Sequence, residues 1–439
     1  MCTGSRSRST SCVRGAPFVT SVANGGFWRR LAPLTLCLLL LLQGCRPSGS
    51  PRPAGPPDWR IQPLASALSQ VATAGERPWV VISSRQLEAM WLFFYWVEGV
   101  EPPSTPVGTS ARALIRSFDG SSNGGSLRAE CAVLRAECAK FGAAGLLPPE
   151  FLRLGLRLGE PPQLDLLYPV TEEERRKVQV PGAAARDYWV TMRDWHVERY
   201  VSLFRSFYAG ANVESFFAKH SEEYSRAVDA VAEALSKVEL PSVIGDYLGV
   251  APLPLVVVVS ALAGDHRGWE STMTDAYGRS VAVVCIGVPD ESYSSDTIND
   301  SLRSALLSLV AHEFIHPHVD RLFAASGDDA RNGQLYEAAT RALSAHERLA
   351  YPGWNSYWNE TVVKALGRRV NLKILKSLYP DSQAGELERQ QDKWVAQEVM
   401  RGWVYVPTVI DKLKEYETSS EDFAAFYPRL LELVPPVSE

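Results

Sequence analysis

A helix that carries two histidines and a glutamate on its buried side constrains this fold more than any other feature of the sequence. The helix follows Asp296, a suitable N-cap, and its apolar positions recur with the helical period as far as the second histidine. At 100° per residue, one side of it holds Ile298, Leu302, Leu309, His312, Glu313 and His316. Because imidazoles and a carboxylate are costly to bury without hydrogen bonds or a cation, the rest of the fold must bring partners to this side.

The spacing of the two histidines suits a shared cation. His312 and His316 stand one helical turn apart, and Glu313 can reach a water bound to the same cation. With 7 histidines among 439 residues, chance would produce such a pattern on the order of 0.01 times. Pro317 disfavours helical geometry at His316, so we expect the helix to kink or end there. A hydrogen-bonded histidine pair without a cation is the alternative.

Apolar patterns elsewhere predict an α+β fold that is mostly helical with a small sheet. Residues 79–82, 255–259 and 280–288 are short apolar runs typical of buried strands, and a long polar loop is expected between the last two. An aromatic segment at residues 90–96 has helical length, and we assign it to the core rather than to a membrane-contact surface. Residues 61–180 are interpreted as a mostly helical N-terminal region.

The first 44 residues have the composition of a secretory signal. Arg29 and Arg30 precede a run of about twelve apolar residues, which is too short to span a hydrocarbon core of roughly 30 Å. We therefore interpret residues 1–44 as a cleaved signal peptide.

A cysteine at the end of this leader predicts a lipid anchor. Residues 42–45, Leu-Gln-Gly-Cys, resemble the lipobox of bacterial lipoproteins, which implies cleavage before Cys45 and lipid attachment to it. Cys45 and the Pro-rich residues up to 60 then form a tether that holds the protein at a membrane. Arg46 replaces the aspartate that retains many lipoproteins at the inner membrane. We expect a location in the bacterial cell envelope, at the outer membrane or cell surface.

Charge and cysteine content argue against two classes for the remaining chain. The leader holds five arginines and no acidic residue, so 40 basic and 50 acidic residues remain. That balance offers no basic excess to neutralise phosphates, and nucleic acid is not an expected partner. Cys131 and Cys138 lie seven residues apart on one predicted helix, beyond disulfide reach, so the core and not a set of bridges must stabilise the fold.

The strand, the loop and the helix with His-Glu-Phe-Ile-His at residues 312–316 resemble the zincin metallopeptidases. The resemblance implies one Zn²⁺ bound by the two histidines, and a substrate backbone that pairs with the edge of the strand at residues 280–288. Residues 190–430 also resemble a bacterial family of secreted, zincin-like proteins described as a domain of unknown function. By these resemblances residues 181–439 form a zincin-like metallopeptidase domain behind the helical N-terminal region.

The resemblance also implies a third ligand on a later helix, as in the gluzincin branch. Glu360 follows an asparagine, as the ligand of that branch does. Glu337 is the main rival, and His318 and Asp320 are further candidates. Gluzincins usually carry an acidic residue four positions after the ligand, but this chain has Lys364 there, so the support for a histidine ligand must come from elsewhere.

These residues imply a hydrolytic mechanism. Three protein ligands would leave one position of the zinc open to water, and Glu313 would take a proton from that water and pass it to the leaving amine. The candidates for stabilising the oxyanion are Tyr351, Tyr357, His346 and Tyr405.

The expected function is that of a lipid-anchored, extracytoplasmic zinc metallopeptidase that acts on a peptide or protein substrate. One alternative is a catalytically silent zincin-fold lipoprotein that serves as a binding or envelope-structural module. Another is a hydrolase of a non-peptide amide such as cell-wall material. The intact Glu313 between two intact histidines favours an enzyme.

Overall fold

The computed structural model describes the chain between residues 62 and 433, with gaps. The described residues are 62–73, 79–139, 155–156, 158–165, 194–264, 268–274, 278–289, 292, 298–324, 336–337, 339–344, 347–348, 351, 353–380 and 383–433. They all belong to one compact unit, Asp58–Glu439. The predicted signal peptide, Cys45 and the tether lie outside the described residues.

Helices make up most of the described chain. In order they are α1 (Leu64–Thr73), α2 (Arg85–Glu98), α3 (Pro106–Asp119), α4 (Ser122–Ala139), α5 (Asp194–Gly210), α6 (Val213–Lys219), α7 (Ser221–Leu235), α8 (Leu240–Leu248), α9 (Asp300–Ala324), α10 (Trp354–Leu378), α11 (Ala384–Met400), α12 (Val406–Thr418) and α13 (Phe423–Leu431). None of these helices is long and apolar enough to cross a membrane.

Four strands form one mixed sheet in the described part of the chain. They are β1 (Trp79–Ile82), β2 (Leu255–Ser260), β3 (Gly268–Thr274) and β4 (Ser280–Gly287). The spatial order is β1-β2-β4-β3, with β1, β2 and β4 parallel and β3 antiparallel to β4. The predicted α+β class, mostly helical with a small sheet, is thus confirmed.

The position of β4 corrects the prediction that residues 280–288 form an edge strand. Both sides of β4 are paired, one with β2 and the other with β3, so the strand at this edge of the sheet is β3 instead. The segment predicted as a polar loop contains β3. Its sequence, Gly-Trp-Glu-Ser-Thr-Met-Thr, combines one buried tryptophan with mostly polar residues, so it did not show the apolar run typical of a strand. An antiparallel strand that buries one face needs apolar residues on that face alone, so its composition can resemble that of a loop.

The histidine-bearing helix begins later than predicted, and of the two outcomes expected at Pro317, a kink or an end, the end does not occur. It begins at Asp300, and the N-cap is Asn299, whose Oδ1 accepts from the N–H of Leu302 at 2.8 Å; Asp296 lies outside the described residues. Pro317 does not end α9, which continues to Ala324. Packing of the residues beyond the proline, such as the fully buried Val319, outweighs the lost backbone hydrogen bond.

The aromatic segment of α2 lies in the core, as predicted. All residues from 86 to 96 are buried. The ring of Trp91 meets that of Trp269 on β3 edge to face, with centroids 5.5 Å apart. Because β1 and α2 come from the N-terminal region and pack against β2 and β3, that region helps to build the sheet that carries the candidate site.

Candidate metal centre

Two helices that pack along each other bring three predicted ligands together. The motif helix α9 supplies His312 and His316, and α10 supplies Glu360. The start of α10 is fixed by the hydroxyl of Ser356, which accepts from the N–H of Gly353 at 3.3 Å and donates to the carbonyl of the same residue at 2.9 Å. Glu360 lies seven residues after Gly353, and its carboxylate faces the two histidines of α9.

The distances within this group fit a tetrahedral metal ion. One oxygen of Glu360, Oε1, is 3.4 Å from Nε2 of His312, and the other, Oε2, is 3.4 Å from Nε2 of His316. One ligand atom from each of the three residues lies within 4.8 Å of the other two. A zinc tetrahedron with bonds of about 2.1 Å has about 3.4 Å between ligand atoms, a spacing that each histidine meets with a different oxygen of Glu360. The donor set of two imidazoles and one carboxylate is also one that zinc commonly takes. The residues present therefore fit one zinc ion.

The carboxylates around the group stabilise a positive charge there, which a proton or a metal ion can supply. Burial by itself raises the pKa of Glu360, but His312, Lys364 and hydrogen bonds from both imidazoles hold it well below its ordinary value. Burial lowers the pKa of His312. Burial would also lower the pKa of His316, yet three neighbouring carboxylates, first among them Glu270, raise it well above its ordinary value. His316 and Glu360 are thus held as imidazolium and carboxylate, and a metal ion that binds between them would displace the proton of His316.

Asp320 and Asn359 support His316 from behind. The Oδ1 of Asp320 is 3.8 Å from Nδ1 of His316, on the side of the ring away from Glu360, and the amide of Asn359 donates a hydrogen bond to the same carboxylate. Asp320, a rival ligand on sequence grounds, therefore occupies the position of a residue that orients a ligand.

Lys364 links Glu360 to a second buried carboxylate. Its Nζ lies 3.4 Å from Oε1 of Glu360 and 3.0 Å from Oε2 of Glu398 on α11. The ammonium group also lies over the ring of Trp403, 4.9 Å from the centroid. Arg401 adds a second cation at 3.0 Å from Glu398. The lysine that departs from the gluzincin pattern is thus held between the ligand carboxylate and α11.

Glu313 lies between α9 and β3. Its side chain is buried, and a Cβ at Gly268 would come within 2.5 Å of its Oε1, so glycine permits the close approach of the strand. Burial raises the pKa of Glu313 to about 8, with further contributions from the carboxylates of Glu270 and Glu360. An oxygen of Glu270, an oxygen of Glu313 and a ring nitrogen of His316 lie within 4.8 Å of one another.

Glu337, His318 and Tyr357 have other surroundings in the structure. Glu337 is exposed and belongs to neither of the two metal-ligand groups found among the described residues. The ring of His318 stacks edge to face on Phe314. The hydroxyl of Tyr357 donates to the carbonyl of Gly402 at 3.1 Å, while His346 lies outside the described residues.

Sequence reasoning missed Glu270 and Glu398. A signal for Glu270 exists, since alternation along β3 places it on the same face as Gly268. No comparable signal marks Glu398, because its role depends on how α11 packs against α10.

The fold and the site together define an α+β protein with a candidate two-histidine, one-glutamate metal centre between two helices and the edge strand of a sheet. Residues 170–434 match the family described as Domain of unknown function (DUF4932), and the chain belongs to that family. No curated protein and no solved structure matches the chain. The matched residues include the whole candidate centre and β2 to β4, whereas β1 and α2 lie outside them.

Proposed function

We propose that the protein is a zinc-dependent hydrolase of peptide bonds. The observation that carries the proposal is the pair of 3.4 Å distances that join Glu360 to both histidines, with Glu313 beside them on the strand side. Zinc held by His312, His316 and Glu360 would supply a Lewis acid that polarises a carbonyl and acidifies water in the remaining position.

The chain's own residues would carry the proton and hold the substrate. Glu313 would accept a proton from the attacking water on a carboxylate oxygen and deliver it to the nitrogen of the leaving amine. The outer edge of β3 has no strand partner among the described residues, so an extended peptide could pair with it beside Glu313. This edge replaces the strand at residues 280–288 as the expected substrate-binding strand.

The second candidate function is that of a catalytically silent binding or structural module. It is favoured by the group formed by Glu270, Glu313 and His316, whose ligand atoms also lie within 4.8 Å of one another. A metal ion bound there would take Glu313 as a ligand and leave no base for hydrolysis.

One set of variants separates the two functions. Zinc content of the purified full chain is measured by mass spectrometry, and cleavage is followed with a peptide library. For the hydrolase we expect Glu313→Gln to retain one zinc and lose cleavage, and His316→Ala and Glu360→Gln to lose both. Glu337→Gln is the matched control and should change neither. Loss of zinc in Glu313→Gln would instead support the silent module, and absence of zinc from the wild type would refute the metal centre.

We further propose that a lipid on Cys45 anchors the protein to the bacterial cell envelope. The support is the lipobox-like sequence and the Pro-rich segment after it. Labelling of cells with a fatty-acid analogue should mark the wild type, whereas Cys45→Ser should lose the label. A labelled Cys45→Ser protein would contradict the assignment.

A further inference from the structure

Glu270 adds a carboxylate to the strand side of the candidate metal centre. It follows Gly268 by two residues on β3, so both residues face α9. The intervening Trp269 points the other way, into the core contact with Trp91. The backbone at Gly268 lies directly against Glu313, and Glu270 is the next side chain along this face of β3.

Three carboxyl groups converge on the candidate centre. They belong to Glu270, Glu313 and Glu360, while Lys364 is shared between Glu360 and the buried Glu398. An oxygen of Glu270 and an oxygen of Glu313 lie within 4.8 Å of each other, so two carboxyl groups face the same space beside the centre. A positive group on the substrate, placed beside Glu270, would be stabilised there by a charge-assisted hydrogen bond.

We propose that Glu270 binds the free α-ammonium group of the substrate, so that the protein removes residues from the amino end of peptides. The inference rests on the proposed function and specifies its substrate class. In an N-terminal residue the ammonium nitrogen is separated from the scissile carbonyl carbon by two bonds, or about 2.5 Å. A charge-assisted hydrogen bond of about 2.8 Å to Glu270 then places the carboxylate about 5 Å from that carbon.

This reach is comparable with the spacing of the site. The oxygens of Glu270 and Glu313 and the nitrogen of His316 lie within 4.8 Å of one another, so one N-terminal residue is long enough to place its carbonyl beside Glu313 and its ammonium beside Glu270. A lysine or arginine side chain carries its charge several bonds beyond the Cα atom, which is too far for the same arrangement. Within a longer peptide this position would hold a neutral amide, which gains much less from a carboxylate.

The test compares free and blocked amino ends. The zinc-loaded full chain is incubated with synthetic pentapeptides that have either a free or an acetylated N-terminus. We expect the first peptide bond of the free peptides to be cleaved, with kcat/KM on the order of 100-fold higher than for acetylated ones. Glu270→Gln should lose about that factor on free peptides only, at unchanged zinc content, and Glu270→Asp should recover part of it. Ser271→Ala, on the same strand but the opposite face, is the control and should behave as wild type.

Binding gives a readout that does not depend on turnover. In the Glu313→Gln background, calorimetry should show free peptides binding at least about 10-fold more tightly than acetylated ones, and Glu270→Gln should abolish the difference. Equal cleavage of acetylated peptides, or cleavage at internal bonds, would overturn the role of Glu270 and leave the proposed hydrolase intact. Loss of zinc in Glu270→Gln would also overturn it, by making Glu270 a metal ligand. A protein that binds no zinc or cleaves no peptide would instead refute the proposed function itself.

Discussion

Asp320 connects the second histidine of the candidate centre to α10. Its carboxylate lies 3.8 Å from Nδ1 of His316 and accepts from the amide of Asn359. A carboxylate behind a ligand histidine fixes the orientation of the ring and makes it a stronger donor. At 3.8 Å the two groups form an ion pair and not a hydrogen bond. Asp320, four residues after His316 on α9, is thus the carboxylate placed to give the support that Lys364 does not give.

We predict that Asp320→Ala lowers zinc affinity by about 10- to 100-fold without removing a ligand. The affinity is measured by competition with a coloured chelator. Glu337→Gln, which removes an exposed carboxylate outside the group, is the control and should leave the affinity unchanged. Equal affinities of Asp320→Ala and wild type would show that this carboxylate does not orient His316.

Lys364 and Glu398 form a largely buried ion pair, in which each charge is stabilised by the other. Their side chains are 14% and 3% exposed. Removing the lysine leaves the buried Glu398 with the exposed Arg401 as its remaining cation, so Lys364→Met should lower the free energy of unfolding by about 2 kcal/mol. The double variant Lys364→Met/Glu398→Leu should cost less than the sum of the two single changes, by at least about 1 kcal/mol.

Urea unfolding of the zinc-loaded proteins gives all four free energies. The zinc-loaded form is used because Glu360 also contacts the lysine, and a bound cation compensates its charge when the lysine is removed. Additive effects of the two substitutions would mean that Lys364 and Glu398 act independently.

At the scale of elements, the close approach of β3 to α9 depends on Gly268. An added methyl group would lie 2.5 Å from Oε1 and 2.6 Å from Cγ of Glu313, so either the strand or the glutamate has to move. Gly268→Ala should therefore lower peptide cleavage at least about 10-fold while zinc content stays at one ion, because a small misplacement of a catalytic group is costly. Gly385→Ala is the matched control, since nothing lies within 4 Å of a Cβ there. Full activity of Gly268→Ala would show that peptide cleavage does not require the close approach of β3 to Glu313.

The helices of this fold were more predictable than its strands. The 3.6-residue period located α9 and its histidines, because a helix facing a core repeats its apolar residues whatever its partner is. Strand β3 was not found, since Trp269 is the one buried side chain that the structure describes among its mostly polar residues, and its identity as a strand depends on pairing with β4. The edge position assigned to residues 280–288 was wrong for the same reason.

The site shows a similar division between local and long-range information. His312, Glu313 and His316 share one helix face, which spacing alone predicts. The choice between Glu360 and Glu337 requires the packing of α10 on α9, which no spacing rule supplies. Glu270 reaches the same place from a third element and remained hidden until β3 was located.

At the scale of the whole molecule, the N-terminal region and the family-matched region share one core. Strand β1 pairs in parallel with β2 across a long stretch of sequence. Beside this pair, the buried Glu88 of α2 accepts from the hydroxyl of Tyr224 at 2.8 Å and from the N–H of Leu262 at 3.3 Å. A carboxyl group of the N-terminal region thus joins α7 to the end of β2, and its protonation is coupled to the stability of the whole fold.

Burial raises the pKa of Glu88 to about 7, and the hydrogen bonds it accepts offset only part of this effect. The folded protein therefore binds the proton more tightly than the unfolded chain, whose carboxyl has its ordinary value near 4.5. The free energy of unfolding should fall as pH rises from about 4.5 to about 7 and stay level above that, with a total loss of about 3 kcal/mol from this group.

Glu88→Gln keeps an oxygen acceptor but cannot ionise, so the loss at high pH should disappear. We predict that the free energy of unfolding of the variant is about 2 kcal/mol higher than that of wild type at pH 8. At pH 4.5 the two values should agree within about 1 kcal/mol. Urea unfolding across this range, in chelator so that metal loading does not vary with pH, measures the difference. Glu415→Gln, which changes an exposed carboxylate, should show no such trend. A difference between Glu88→Gln and wild type that stays constant with pH would mean that Glu88 does not change its protonation between pH 4.5 and 8 in the folded protein.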